Sequence, residues 1–397
     1  MRKLTVQKQI PFLLMGSLLF TGFTTLVPTA AEARPSRRVG QQTQNQQLNQ
    51  LLRKGRELVD AGNYTQAIAV YQQAANLDRQ NPKIFSGIGY LQARQGNFQE
   101  AVKAYQQAVA LDPDNAEFQY ALGYSFANIG DNTDAAVAYR RALALNSKKV
   151  NAHLGLGFVL LRQKDYDGAI AAYRRVLELS PENVEVHELM GAAYLQAEKF
   201  PEAVRAFQQA AKLAPNNASV QMSLGTALVR QGNKTAGLSA FEKAAKLAPR
   251  NAPVYLQIGK ILQEQKELPD ALAAFKRAVS LQPNSVEAQA SIGEILLVQE
   301  NYLEAIVAYR RLIELAPQDA KAYYNLGVAL KKRDRTTEAI AAIEKARELY
   351  QRQGKKEGTQ RTESLLRELK KSSTSWQPSS FNQLSGHTTT NALSAAL

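Results

Sequence analysis

The sequence contains no cysteine, three histidines (His153, His187 and His387), one tryptophan and four methionines. Without cysteine it has no thiol nucleophile, no CxxC redox pair, no cysteine-based zinc site and no thiol for lipid attachment. Three scattered histidines leave little for a metal centre or a histidine general base. A glycine-rich phosphate loop and a Ser/His/Asp constellation are missing too. What is present is a chain of 397 residues, 45% hydrophobic and 21% charged, with a formal net charge of +14. That balance belongs to a folded, basic protein rather than to an acidic disordered tail or a disulfide-stapled miniprotein.

The first stretch reads as an address. Arg2, Lys3 and Lys8 precede an apolar run from Ile10 to Val27, and Ala31-Glu32-Ala33 places small residues where a signal peptidase reads them. Pro11, Gly16 and Gly22 interrupt the run, and its strongest part, Phe12 to Phe20, is too short to span a bilayer. The expectation is a secretory signal over residues 1–33, cut after Ala33, and a working chain outside the cytoplasm. The periplasm is the expected place, with secretion or a thylakoid lumen as alternatives and retention as an anchor as the rival reading.

A strict period organises the remainder. Gly55, Gly89, Gly123, Gly157, Gly191, Gly225, Gly259, Gly293 and Gly327 are spaced by 34 residues without an insertion. Nine of 23 glycines on one arithmetic series demand a backbone or packing requirement that recurs nine times. Twelve residues after each stands the smallest of side chains, from Ala67 through Gly237 to Ala339, and four further on an aromatic from Tyr71 to Tyr309, with Ile343 last. Small, large and small residues at spacings of four and three form one buried helical stripe. Gly62-Asn63, Gly96-Asn97, Gly130-Asp131 and Gly232-Asn233 end a first helix, and prolines such as Pro113, Pro181 and Pro215 stop a second. The units expected are 48–81, 82–115, 116–149, 150–183, 184–217, 218–251, 252–285, 286–319 and 320–353. Residues 34–47 read as a disordered Gln/Arg-rich linker, 354–371 as an amphipathic capping helix, and 372–397 as a disordered Ser/Thr-rich tail.

These residues resemble the tetratricopeptide repeat. Leu122-Gly123, Ala135, Tyr139 and Ala142 reproduce its pattern except for the closing proline, and the likeness covers about three quarters of the chain. The departure is the column four residues before each glycine, never tryptophan here: Leu51, Phe85, Gln119, His153, His187, Gln221, Tyr255, Gln289 and Tyr323. The resemblance implies an all-α, right-handed superhelical solenoid of nine helix-turn-helix repeats, with first helices lining a concave groove.

By the same resemblance, groove-facing positions in repeats two to four include Lys83, Gly87, Tyr90, Arg94, Tyr120, Ala121, Tyr124, Asn128, Gly155, Phe158 and Arg162. Aromatic residues beside small ones make a floor with shallow pockets, and Arg and Asn can fix peptide groups. Equally, Tyr90, Tyr124 and Phe158 fit as packing between neighbouring first helices. The lysine with which chaperone adaptors of the family grip a C-terminal carboxylate, at the fifth position, is missing from every repeat. A second candidate surface is a set of basic pairs on the second helices, Arg140-Arg141, Arg174-Arg175, Lys276-Arg277 and Arg310-Arg311, suited to anionic lipids or wall polymers. An ordinary solvated face accounts for them as well. His153 and His187 share one column but lack a carboxylate or cysteine partner, so packing is expected rather than a metal.

The expected function is therefore a non-catalytic scaffold of the bacterial cell envelope that binds a protein segment in its groove and assists assembly of an envelope complex. The alternative is an adaptor docking on anionic envelope surfaces. No cofactor, metal, nucleic acid or small-molecule substrate is implied by the residues.

Overall fold

The computed structural model describes residues 35–374, all of whose regular elements are α-helices. Residues 1–34, where a secretory signal is expected, and residues 375–397 of the expected tail lie outside them. Contacts divide the chain into two compact units, up to Gly237 and from Leu238 onward. The first holds α1 (Pro35–Asp60), α2 (Tyr64–Leu77), α3 (Pro82–Arg94), α4 (Phe98–Leu111), α5 (Ala116–Ile129), α6 (Asn132–Leu145), α7 (Val150–Arg162), α8 (Tyr166–Leu179), α9 (Val184–Gln196), α10 (Phe200–Leu213) and α11 (Ala218–Arg230). The helix α12 (Lys234–Leu247) carries the boundary. The second unit continues with α13 (Ala252–Glu264), α14 (Leu268–Leu281), α15 (Val286–Val298), α16 (Tyr302–Leu315), α17 (Ala320–Lys331), α18 (Thr336–Arg352) and α19 (Lys356–Thr374). None of the described helices is long and apolar enough to cross a membrane.

The 34-residue glycines are explained by steric contact. A Cβ built on Gly123 would stand 2.9 Å from the Tyr139 ring, on Gly89 2.9 Å from Tyr105, and on Gly293 2.8 Å from Tyr309. The second helix thus presses a large side chain onto the bare backbone of its own first helix, an aromatic ring in most repeats and Ile343 against Gly327 in the last. Tyr139, fully buried, is gripped from two sides, because a Cβ on Gly155 of the following repeat would also collide with it. The alanine column is equally closed: Ala67, Ala101, Ala135, Ala169, Ala203, Ala271, Ala305 and Ala339 are all fully buried.

Each helix packs on the next in chain order within its unit, the arrangement of a helical-repeat solenoid. The strongest approaches that skip one helix join first helices: α3 with α5, α5 with α7, α9 with α11, and α15 with α17. Each stack therefore curves toward its first helices, which puts their outward residues on the inner side of the bend.

Helix starts follow local rules that the period repeats. Asn81, Asn115, Asn183, Asn217, Ser285 and Asp319 all accept backbone N–H bonds at the starts of first helices. The turn within a repeat closes with a residue in the left-handed region. That residue is glycine in repeats one to three and six (Gly62, Gly96, Gly130, Gly232), but Lys164, Glu198, Lys266, Glu300 and Asp334 adopt φ of 56–65° in the others. A side chain there costs about 1–2 kcal/mol relative to glycine.

Residues 34–47 depart from the expected disordered linker, being helical from Pro35 as the opening of α1. Gln and Arg are good helix formers, Leu48 packs on the first core cluster, and Gln44 Nε2 donates to the Leu77 carbonyl at 3.0 Å. At the other end α19 packs on α18 and buries Leu366 and Leu369, as a cap must.

Three substitutions probe these constraints. Gly123→Ala is expected to destabilise by about 1–3 kcal/mol through overpacking, whereas Gly87→Ala, whose Cβ would meet nothing within 4 Å, gains up to about 1 kcal/mol of helix propensity. Urea midpoints compare them directly. Lys266→Gly should release turn strain and stabilise its repeat by roughly 0.5–1 kcal/mol, read as slower hydrogen exchange of amides in α13 and α14.

Candidate functional site: the first-helix face and the end of the array

Of the residues expected on the groove, the eight with side chains larger than alanine separate into two groups. Tyr120 and Tyr124 are only 7% and 8% exposed and belong to the core. The Tyr120 ring lies 5.9 Å from that of Tyr139, with the Lys149 ammonium 4.8 Å over its face, and Lys149 pairs with Glu117. Tyr124 meets Phe98 edge-on at 6.1 Å. Tyr124 therefore packs as the alternative reading had it, and Tyr120, expected on the groove, is buried as well, against the Tyr139 ring that fills the space beside Gly123 and Gly155.

The other six form an accessible rim. Tyr90 is half-buried, and its hydroxyl accepts from Arg94 Nη1 at 3.3 Å while the Arg94 guanidinium lies 5.2 Å above the Tyr64 ring. Phe158, also half-buried, lies under Arg162 at 5.6 Å, and Arg162 Nη1 donates to the Ala127 carbonyl at 3.4 Å. The exposed Asn128 donates to the Tyr124 carbonyl at 2.8 Å, and Lys83 is exposed. Cation-on-ring packing holds each arginine in place while leaving N–H donors open, so less side-chain entropy is lost when a ligand arrives.

The eight basic residues of the second candidate surface are exposed, yet most hold a partner already. Arg141 pairs with Asp114 at 2.9 Å, Arg175 with Glu178 at 2.6 Å, Lys276 with Glu304 at 3.0 Å, Arg310 with Glu338 at 2.8 Å and Arg311 with Glu314 at 2.7 Å. Arg277 donates to the Pro249 carbonyl at 3.4 Å. Only Arg140 and Arg174 lack such a partner among the described residues, so the pairs do not add up to a continuous cationic stripe.

Four residues of the variable column before the glycine act as a latch, while Gln289 of the same column donates instead to the Ala308 carbonyl at 3.1 Å. Gln119 donates to the Pro113 carbonyl at 3.1 Å, His153 to Ser147 at 2.9 Å, His187 to Pro181 at 2.9 Å and Tyr255 to Pro249 at 3.3 Å. In each case the side chain reaches back six residues to the loop between repeats. Different residue types can share the task because all carry a donor at the end of a planar group. His153 and His187 are thus loop fasteners, and among the described residues no cluster of acidic or histidine side chains has metal-site geometry.

A further feature escaped the sequence reading because half of it lies outside the period. At the end of the second unit, Lys321, Tyr324 and Asn325 of α17, Tyr350 of α18, Lys355, and Lys356, Glu357, Gly358 and Arg361 of α19 enclose a cavity of about 420 Å³. Lys321, Tyr324 and Asn325 occupy the second, fifth and sixth positions of repeat nine, the same face as the rim residues of the first unit.

The tetratricopeptide repeat profile matches residues 52–116, 86–145, 120–184, 256–320 and 296–353, and related profiles of the same description match 160–228 and 218–251. Among solved structures, the chain is similar to MamA (23% identity, TM-score 0.41, 43% of this chain and 94% of that one). It is similar also to YrrB, described as a TPR protein with an unusual peptide-binding site (21%, 0.42, 48% and 98%). A tetratricopeptide repeat protein from Parabacteroides merdae matches as well (20%, 0.46, 63% and 99%). No curated protein matches the chain.

Burial pushes the phenols of Tyr71, Tyr105, Tyr120, Tyr139, Tyr173 and Tyr309 above their ordinary value. Unfolded tyrosines ionise near pH 10 while these stay protonated, so the unfolded chain binds fewer protons above that pH and stability must fall as pH rises. Stability from these groups is fully present below about pH 9. The Tyr139 hydroxyl is buried without a partner, so Tyr139→Phe should stabilise by about 1 kcal/mol at neutral pH and flatten the alkaline loss. Urea denaturation midpoints between about pH 7 and 11 test both signs.

Proposed function

The chain belongs to the tetratricopeptide repeat family, a family of protein-interaction scaffolds, and from that premise we propose that it acts without catalysis in the cell envelope. There it holds a segment of a partner protein against the first-helix face and assists assembly of an envelope complex. The observation that carries the reading is the rim itself: half-exposed Tyr90 and Phe158 on α3 and α7, each with an arginine, Arg94 or Arg162, packed on an aromatic ring beside it. Rings provide apolar area at little entropic cost and the guanidinium donors fix backbone carbonyls or carboxylates. Several repeats acting on one extended segment multiply weak contacts into useful affinity. The extracytoplasmic placement is supported by the charged, apolar and small-residue order of residues 1–33.

The groove is favoured over the outer basic pairs because most of those charges are already satisfied within the protein. An affinity pull-down from envelope extract with the full chain tests this, beside a Tyr90→Ala/Phe158→Ala/Arg94→Ala/Arg162→Ala variant. Tyr120 and Tyr124 are left intact, since removing core rings would confuse unfolding with loss of binding. Retention of a protein at moderate salt, lost in the variant whose helicity is unchanged, is the expected result. Equal retention by both, stripped by salt, transfers the site to the outer face.

A further inference from the structure

We propose that the cavity at the C-terminal end of the array binds an acidic segment of the partner, with the α18–α19 turn and the capping helix together supplying most of the charge. The inference rests on the groove reading, from which it takes the existence of a protein partner, and concerns the second unit by itself. Four cations, Lys321, Lys355, Lys356 and Arg361, line the cavity against one carboxylate, Glu357. Two of the four hold acids already: Lys321 pairs with Glu294 at 2.5 Å and Arg361 with Glu357 at 2.6 Å. Lys355 and Lys356 have no acidic partner among the described residues and sit where α19 begins. The first backbone bond of that helix runs from Thr359 N to the Lys355 carbonyl at 3.0 Å, so the amides of residues 356–358 precede it without a backbone acceptor in the helix and add to the positive potential.

Two tyrosines shape the enclosure. A Cβ on Gly358 would stand 2.6 Å from the Tyr350 ring, so only glycine lets that ring lie against the first turn of α19. Tyr324 provides a second ring from α17. Cations contributed by α17, the α18–α19 turn and α19 suit a run of several carboxylates, and the rings suit the methylene stems of glutamates between them. The chain's overall +14 charge favours encounter with such an acidic segment.

The test is fluorescence anisotropy of a labelled hexaglutamate peptide with the full chain, against labelled hexaglutamine and with inorganic phosphate as competitor. Hexaglutamate is expected to bind, hexaglutamine not to, and Lys355→Glu/Lys356→Glu to weaken binding roughly tenfold or more. The control Arg140→Ala/Arg174→Ala should leave binding unchanged. Absent binding, equal binding of both peptides, or insensitivity to the lysine reversals overturns the proposal. Displacement by phosphate as effective as by hexaglutamate also overturns it, assigning the cavity to a single small anion. Running the Lys355→Glu/Lys356→Glu chain in the envelope pull-down separates the two readings. A partner still retained through Tyr90 and Phe158 sinks the acidic-segment proposal alone, whereas no partner on any chain sinks the groove.

Discussion

Everything in this structure depends on a ring pressed against a backbone. Where the second helix sets Tyr139 on Gly123, or Tyr309 on Gly293, the two helices approach until no Cβ fits between them. That contact fixes the helix-pair geometry, and the fully buried alanines twelve residues on let the same pair close from the other side. Repetition without insertion follows: a one-residue slip would move the ring off its glycine, and the repeat would lose most of the apolar contact that it contributes to its neighbours.

The same contact explains why binding residues have to come from elsewhere on the helix. With the second helix occupied in the core, variable chemistry is free on the outward side of the first, where Arg94, Asn128 and Gln196 share one position of the repeat and differ in type while the interior alanine column stays small. A rim built this way is pre-organised by its own packing. Arg94 and Arg162 are each seated on a ring, so ordering them costs the complex less than ordering a free side chain.

The architecture was legible in the sequence because its determinants are local and periodic: glycine, alanine and ring at fixed offsets, and a leucine-bearing amphipathic segment after the last repeat. Burial at the site was less legible. Tyr90, Tyr124 and Phe158 occupy one column, yet Tyr124 faces Phe98 and closes into the core while the other two stay half-exposed. A position in the period names the helix face, whereas the volume of neighbouring residues decides whether a ring reaches solvent. The latch of Gln119, His153, His187 and Tyr255 was hidden for the opposite reason, since dissimilar residues perform one hydrogen-bonding task. Helix α1 began earlier than expected because polar composition was read as disorder when Gln and Arg also favour helix. The terminal cavity needed coordinates, since α19 stands outside the period.

The left-handed turns are unevenly distributed. Glycine closes the first three repeats, while Lys266, Glu300 and Asp334 close the last three with a side chain in a backbone region that resists one. In a linear array, local stability is set by each repeat and its immediate neighbours. Repeats seven to nine therefore open more readily than their packing alone would imply, and α19 is what restrains that end. A ligand bridging α17 and α19 would work as a clasp on the looser end, coupling occupancy to the breathing of the final repeats and so reporting its presence along the second unit as a change in order rather than in shape.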